Sequence, residues 1–261
     1  MQRSDSLSKK GAQIFKTGHV CFRFLVLVIG CVCIAGCSPS ADTNNTLSTK
    51  EKEEGWVLLF DGHSTAGWHV FNEGQVPSAW RVADGMLWCD PRLEGVVHGD
   101  LTTDSVYGNF DLVFEWKIAK GGNSGVFINV QEGRDYGTAY ATGPEMQLLD
   151  NQYAEERHRS NPTHLAGSIY DVAGSVEHSN PHPYGQWNQS RIRHQDGNIK
   201  FWLNGELTAD VQLDTDDWDR LVQTGNLGSF PEFGKHRRGK IALQDHTDEV
   251  FFRNIKIKQL D

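Results

Sequence analysis

The sequence predicts an all-β domain, a jelly-roll sandwich of two curved antiparallel sheets. Apolar and polar residues alternate with period two in its longest segments, such as 110–118 and 199–204, which is the pattern of a half-buried strand. Asp-Gly and Asn-Gly pairs follow such segments, as at 84–85 and 204–205, and these pairs favour tight hairpins. No window of a dozen residues has a convincing helical period. Many short strands over ~200 residues form a sandwich or a barrel.

The first 37 residues resemble a targeting segment. Five basic side chains and one acidic side chain precede an uncharged apolar run at 24–35, which is shorter than the roughly 20 residues of a membrane-spanning helix. Ile-Ala-Gly then precedes Cys37, as in a bacterial lipoprotein signal. We expect residues 1–37 to be a lipoprotein signal peptide that ends at its lipobox cysteine. Cys37 would carry lipid and hold the protein in the cell envelope, facing the periplasm or the exterior; cleavage elsewhere and secretion is the alternative.

Residues 38–54 and 55–261 differ in composition. The first segment is polar, so we expect a flexible tether between the lipid and a single folded domain. Of five cysteines only Cys89 lies in that domain, and a single thiol forms no internal disulfide, so the fold must depend on its core. Cys89 ends a predicted strand and is expected to fill part of that core.

Charge and motifs exclude several kinds of partner. The chain has a formal net charge of −9 and its first 36 residues carry +4, which leaves −13 on the remainder. An acidic domain repels phosphate backbones, so no nucleic acid partner is expected. No Walker loop or G-x-G-x-x-G follows a strand, so no nucleotide cofactor is indicated. The membrane link is expected only through the lipid anchor.

A carboxylate and an amide share one face of a predicted strand. Glu145 and Gln147 are two residues apart, so they project together while Met146 and Leu148 face the opposite way, towards the core. The preceding strand is expected to place Val126, Ile128 and Val130 on its apolar face and Asn123, Gly125, Phe127 and Asn129 on its polar face. A carboxylate beside an amide on such a face can bind a polyhydroxylated ligand, and we expect a sugar site there; the alternative is that these are solvated strand positions.

Other polar residues follow the same logic. Gln244 and His246 share a face if 240–246 is a strand. His164 precedes a return into strand at 166–170, which is expected at the sheet edge near Glu145. The other loop histidines are His158, His178 and His182, expected on the polar surface, and 151–160 is expected to be a surface loop beside the site. Glu145 and Asp150 are the carboxylate pair for ordinary glycoside hydrolysis, but alternation places them on opposite faces, which disfavours that reaction.

Short motifs in a fixed order carry a resemblance to a known family. They are LFDG at 59–62, GNSGVF at 122–127, PEMQLLD at 144–150, GSIYDV at 167–172 and IALQDH at 241–246. Together they resemble, over residues 56–258, the domain described as 3-keto-disaccharide hydrolase, or 3-keto-glucoside 1,2-lyase and 2-hydroxyglucal hydratase. The resemblance implies a concanavalin A-like jelly roll and an oxidised sugar or glycoside as substrate.

The chemistry implied by the resemblance begins with a keto group at C3 of the sugar, which acidifies the proton on C2. A base removes that proton, the C1 substituent leaves, and water adds to give the free 3-keto-sugar. Glu145 or His164 is expected to be the base and His246 or Tyr170 the acid. A divalent cation or neutral amide donors would hold the enolate oxygen. The substrate-binding residues are expected to be Asn123, Gln147, Asp150, Tyr170 and Gln244.

Two positions depart from the usual pattern of the family. Asn129 stands where arginine is frequent, and Thr247 stands where glycine is frequent. Loss of an arginine at the polar face would change which substrate group is held. A non-catalytic carbohydrate-binding lipoprotein and an ordinary glycoside hydrolase remain as alternatives, and the sequence leaves open the sugar, the anomer, the metal and the oligomeric state.

Overall fold

A computed structural model describes residues 44–175 and 177–261, so the expected signal peptide and Cys37 lie outside the described residues. The strands are β1 (Trp56–Leu58), β2 (Trp68–Val70), β3 (Trp80–Ala83), β4 (Met86–Cys89), β5 (Leu101–Thr103), β6 (Phe110–Ile118), β7 (Asn123–Val130), β8 (Glu145–Leu149), β9 (Asn188–Gln195), β10 (Asn198–Leu203), β11 (Glu206–Gln212), β12 (Lys240–Leu243) and β13 (Val250–Gln259). The helices are α1 (Thr49–Glu53), α2 (Glu156–Arg159) and α3 (Asp216–Thr224), with 3₁₀ turns at Ala139–Ala141, Pro162–His164 and Asn226–Ser229.

The strands form two antiparallel sheets that pack as a sandwich. The large sheet has the order β11-β10-β9-β6-β13-β4-β3, with β1 also paired to β13, and the small sheet has the order β2-β5-β12-β7-β8. The predicted all-β jelly-roll sandwich is confirmed. The small sheet matters most for function because β5, β12, β7 and β8 lie side by side in it and carry the candidate residues.

The core lies between the sheets and follows the predicted alternation. Five apolar residues of β6 face the core and are each at most 3% exposed, namely Phe110, Leu112, Phe114, Trp116 and Ile118. Met146 and Leu148 of β8 join the same cluster from the small sheet. Burial of side chains of this size stabilises by roughly 1.5–3 kcal/mol each. Cys89 is a free, buried thiol in that cluster, as expected for core filling.

The N-terminal part of the described chain corrects the expected tether. Asn45 donates its backbone N–H to Oδ1 of Asn254 at 2.6 Å and accepts from the Asn254 backbone N–H at 2.9 Å. Ser48 and Glu51 form a capping box that begins α1, and Glu51 also pairs with Lys256 of β13. Residues 44–54 are therefore part of the folded domain, because Asn45 and Glu51 bond to Asn254 and Lys256 of β13. The rest of the expected tether, residues 38–43, lies outside the described residues.

Helix α3 was absent from the sequence prediction. It has nine residues, fewer than the dozen over which a helical period becomes recognisable. Thr215 caps it by accepting a hydrogen bond from the Trp218 backbone N–H at 3.2 Å, and Trp218 and Val222, four residues apart, are its buried positions. No helix within the described ranges is long and apolar enough to cross a membrane.

A β-bulge changes the predicted direction of one side chain in β7. Phe127 pairs with Ala242, but Val130 pairs with Lys240, so β7 advances three residues where β12 advances two. Asn129 within this bulge has φ of 57°, in the left-handed region that asparagine tolerates better than most residues. Val130 consequently packs with Phe127 and not, as predicted, with the apolar face that contains Val126.

Candidate active site

A cavity of about 410 Å³ lies over the polar face of the small sheet. Six residues predicted for the site line it, namely Asn123, Glu145, Gln147, Tyr170, Gln244 and His246. Six further lining residues were not predicted: Tyr140, Arg157, His158, Asn226, Leu227 and Phe230. The structure thus brings together residues from β7, β8, the end of β12 and three connecting segments.

Two other cavities, of about 500 and 520 Å³, lie elsewhere on the domain. They are lined by arginines such as Arg237 and Arg191, and these arginines pair with Asp214 and Asp111. Ion pairs of this kind satisfy the charges that line a surface hollow. The cavity over the small sheet is distinguished by a buried carboxyl, that of Glu145, and is the better candidate for a site.

Strand pairing places four residues at one level across the small sheet. Gln147 lies opposite Gly125, and the Gln244 backbone N–H donates to the Gly125 carbonyl at 2.9 Å. The antiparallel register of β12 and β5 places Asp100, just before β5, opposite Gln244. The row is therefore Asp100, Gln244, Gly125, Gln147, with neighbours about 4.8 Å apart. Strand β12 ends at Leu243 and does not extend to His246 as predicted. The Gln244 side chain nevertheless lies on the predicted face of the sheet.

Gly125 makes room for the Glu145 side chain. A Cβ at position 125 would lie 1.9 Å from Oε1 of Glu145, far inside van der Waals contact. The Glu145 carboxyl therefore lies across Gly125, between the side chains of Gln244 and Gln147. The glycine of the GNSGVF motif thus has a packing role that explains why the carboxyl can sit so close to the sheet.

The Glu145 carboxyl is buried, and none of the described residues pairs a cation with it. Burial raises its pKa well above the usual range, and the negative charge of Asp100 raises it further. Arg157 lines the same cavity but pairs with Glu155. A desolvated carboxyl of this kind holds a proton to higher pH and is a stronger base once ionised.

Two amide side chains form a chain of hydrogen bonds that ends at a histidine. Nε2 of Gln147 donates to Oδ1 of Asn123 at 3.2 Å, and Nδ2 of Asn123 lies 3.4 Å from Nε2 of His158. Burial and the neighbouring Arg157 lower the pKa of His158 to about 4, so its Nε2 accepts as a neutral imidazole. His158 was predicted on the polar surface; α2, which has only four residues, places it in the site instead.

His164 and Asp150 lie outside the cavity lining, which corrects two predictions. The His164 ring stacks on Tyr170 with centroids 4.4 Å apart, and its Nε2 lies 3.2 Å from Oδ1 of Asp171. It therefore supports Tyr170 from behind. The Asp150 carboxylate accepts hydrogen bonds from the backbone N–H groups of Gly121, at 2.8 Å, and of Gln152. It therefore links the segment before β7 to the turn after β8.

Tyr170 and an aromatic wall complete the lining. The Tyr170 backbone N–H donates to the Glu145 carbonyl at 3.0 Å, which holds the two side chains next to each other. Burial and the charge of Glu145 raise the pKa of Tyr170, so the phenol keeps its proton. Tyr140 packs edge-to-face on Phe230 with centroids 5.4 Å apart, and such rings pack against the C–H faces of a sugar.

Asp100 is a carboxyl that the sequence analysis missed. It lines a second cavity of about 380 Å³, which shares Tyr140, Gln244 and His246 with the first. Burial raises the pKa of Asp100 to about 7, against the lowering effect of a hydrogen bond from the Asp245 backbone N–H. Asp100 is invisible in the alternation pattern because it precedes a strand of only three residues.

The donors of the cavity are amides rather than a preformed metal set. Among the described residues, no group of three or more His, Cys, Asp or Glu side chains is arranged to hold a metal ion. The amides of Gln147 and Asn123 are neutral donors that already lie in the cavity. They are the groups in this lining suited to an anionic sugar oxygen.

A two-sheet sandwich with a buried carboxyl, amides and aromatic rings around one cleft defines a carbohydrate-active protein. Residues 55–258 match the 3-keto-alpha-glucoside-1,2-lyase-like domain, and the chain belongs to this family, which confirms the resemblance in the sequence. A 3-keto-disaccharide hydrolase of Bacteroides thetaiotaomicron is 32% identical over 231 residues, 80% of this chain and 79% of the relative.

Two crystal structures from Parabacteroides distasonis, each provisionally named a glycosyl hydrolase, share the fold. One is 35% identical with a TM-score of 0.73 and covers 84% of this chain and 100% of its own. The other is 25% identical with a TM-score of 0.60 and covers 78% of this chain and 99% of its own.

Proposed function

We propose that this protein cleaves 3-keto-glycosides, including 3-keto-disaccharides, by removal of the C2 proton, elimination at C1 and hydration. Family membership over residues 55–258 supports the substrate class, as does the name of the Bacteroides relative. The observation that carries the proposal is the Glu145 carboxyl, which is buried in the cavity, pairs with no cation of the described residues and has a raised pKa. That environment suits proton removal from carbon.

The proposed reaction has three steps, which are removal of the C2 proton, loss of the C1 substituent and addition of water. Ionised Glu145 takes the proton from C2, and the electron pair of that C–H bond moves into the keto system, so that charge develops on the C3 oxygen. The C1–O bond then breaks and C1–C2 becomes a double bond. The acid that gave its proton to the departing C1 oxygen regains one from water as the water oxygen bonds to C1, and C2 regains a proton from Glu145. Both groups then return to their first state, and the free 3-keto-sugar is released.

Gln147 and Asn123 are placed to stabilise the developing charge. Both line the cavity beside Glu145, and their mutual hydrogen bond together with the contact to His158 fixes their orientation. Oriented amide donors at a developing oxyanion act without reorganisation during the reaction, which is how such groups lower a barrier.

Tyr170 is the proposed acid for the leaving group. Burial and the negative charge of Glu145 raise the pKa of Tyr170, which favours the protonated phenol, and the hydrogen bond between the two backbones holds it beside Glu145. His246 lines the same cavity and is the alternative donor. The proposed roles replace His164, which lies behind Tyr170.

Ordinary glycoside hydrolysis is the second candidate, and Asp100 is the observation that favours it. Asp100 and Glu145 supply two carboxyls over the same sheet, which that reaction requires. The experiment that separates the candidates incubates the full chain with a 3-keto-glucoside and with its unoxidised parent and follows both by NMR. We expect cleavage of the oxidised compound alone; cleavage of both establishes a glycosidase, and binding without cleavage establishes a carbohydrate-binding protein.

Export and anchoring are proposed on the sequence of residues 1–37 alone. We propose a lipid-anchored protein in the cell envelope, facing the periplasm or the exterior. An exported enzyme of this kind meets its oxidised sugars outside the cytoplasm.

A further inference from the structure

Asp100 and Glu145 face each other across one side chain of the small sheet. The Glu145 carboxyl lies over Gly125 in β7, and Asp100 lies two strands away, on the other side of Gln244. Two strand spacings amount to about 10 Å, and both side chains extend above the same face. The two carboxyls are therefore separated by a single amide in adjoining cavities that share Gln244.

Other charged or titratable groups also line the two cavities, and one of them, His246, lowers the pKa of Asp100 and so favours its charged form. These groups include Arg157 and His158 at α2, Tyr170 after the second 3₁₀ turn, and Asp245 and His246 after β12. Arg157 is engaged by Glu155, and His158 is neutral because its pKa is about 4. Asp245 accepts from the Gly99 backbone N–H and lies 3.2 Å from Nδ1 of His98.

We propose that Asp100 is a positioning residue for Glu145: its negative charge across Gln244 holds the proton on Glu145 to higher pH and makes Glu145 a stronger base once ionised. Repulsion between two carboxylates in a shared, poorly hydrated cleft has this effect. Asp100 has a pKa of about 7 and therefore carries its negative charge above that pH. The catalytic consequence, though not the charge effect itself, rests on the proposed function.

The direct test measures the titration of Glu145 and does not depend on catalysis. The full chain is labelled with ¹³C at glutamate side chains, and the Glu145 carboxyl resonance is assigned by its loss in Glu145→Gln. In Asp100→Asn we expect the pKa of Glu145 to fall by about one unit or more. Asparagine keeps the Oδ1 that accepts from the Asp245 backbone N–H at 3.0 Å, which preserves the local fold.

Two variants control this measurement. Asp100→Glu keeps a charge in the cleft and should leave the pKa of Glu145 high. Asp104→Asn removes a carboxylate just after β5, where Asp104 contacts His69 at 2.5 Å, and should also leave it unchanged. A Glu145 pKa that moves by less than a few tenths of a unit in Asp100→Asn overturns the proposal.

Turnover supplies a second readout that structural damage would not imitate. For Asp100→Asn acting on a 3-keto-glucoside, the profiles of kcat/KM against pH should cross: faster than wild type at acidic pH, because more Glu145 is ionised, and slower at alkaline pH, because the base is weaker. A loss that is uniform at all pH values contradicts the proposal. A wild type that cleaves no 3-keto-glycoside removes the proposed function, while the titration still decides the role of Asp100.

Discussion

Replacement of Glu145 by glutamine tests its proposed catalytic role separately from its place in the fold. Gln keeps the size of the side chain that lies over Gly125 but has no carboxylate to accept the C2 proton. Loss of a general base lowers a rate by roughly 100-fold or more, which corresponds to about 2.7 kcal/mol in the barrier. The assay is single-turnover cleavage of a 3-keto-glucoside, followed by NMR at a series of pH values that extends into the alkaline range.

The same substitution should not destabilise the protein above neutral pH. Because burial raises the folded-state pKa of Glu145, the folded state binds more protons than the unfolded state above the unfolded pKa. The free energy of unfolding therefore decreases as pH rises from that value through the raised pKa. Gln removes this dependence, so Glu145→Gln should be at least as stable as wild type at pH 8 in urea unfolding.

A matched control is another glutamate of the same region. Glu132 bonds to Lys240 and to the His69 ring, and these contacts lower its pKa against the effect of burial. Its charge is therefore stabilising above the unfolded pKa, and Glu132→Gln should lose stability at pH 8 while retaining turnover. A Glu145→Gln protein that stays within a few-fold of the wild-type rate, or that unfolds, would refute the catalytic role.

The site and the sequence support three further predictions. Gly125→Ala should lower turnover by at least tenfold with the fold intact by circular dichroism, because the new Cβ displaces the Glu145 carboxyl. Tyr170→Phe should slow 3-keto-glycosides with poor leaving groups by roughly 100-fold and p-nitrophenyl ones by only a few-fold, if Tyr170 is the acid; equal effects would exclude that role. Cys37→Ser should abolish metabolic labelling with a fatty acid, and labelling that persists would remove the anchor.

Local alternation was sufficient to predict the residues of the floor of the site. Glu145 and Gln147 share a face because a strand has period two, and Met146 and Leu148 lie in the core as expected. The same reasoning failed at Val130, because the bulge at Asn129 inserts one residue and reverses the direction of the side chain after it. A period read from sequence holds only as far as the next irregularity of the backbone.

Residues that reach the site through long-range pairing were not predictable in this way. Asp100 enters because β5 pairs with β12, and Phe230 enters because the turn after α3 is tied to Asp171 by the backbone N–H of Asn226 at 2.5 Å. His158 comes from a helical turn of four residues, which has no periodic signature. Strand order and loop docking depend on the whole chain, so no local pattern contains them.

An unfavourable feature of the fold, the buried Glu145 carboxyl, coincides with its proposed chemistry. A buried carboxyl without a cation destabilises the folded state at any pH at which it is ionised, and here a second carboxyl, Asp100, adds to that cost. A leucine or methionine at position 145 would pack against the Phe127 side of the sheet without such a penalty. The large core between the two sheets keeps the protein folded despite this local destabilisation. A base that removes a proton from carbon needs the same desolvation, because a hydrated, ion-paired glutamate would be too weak a base.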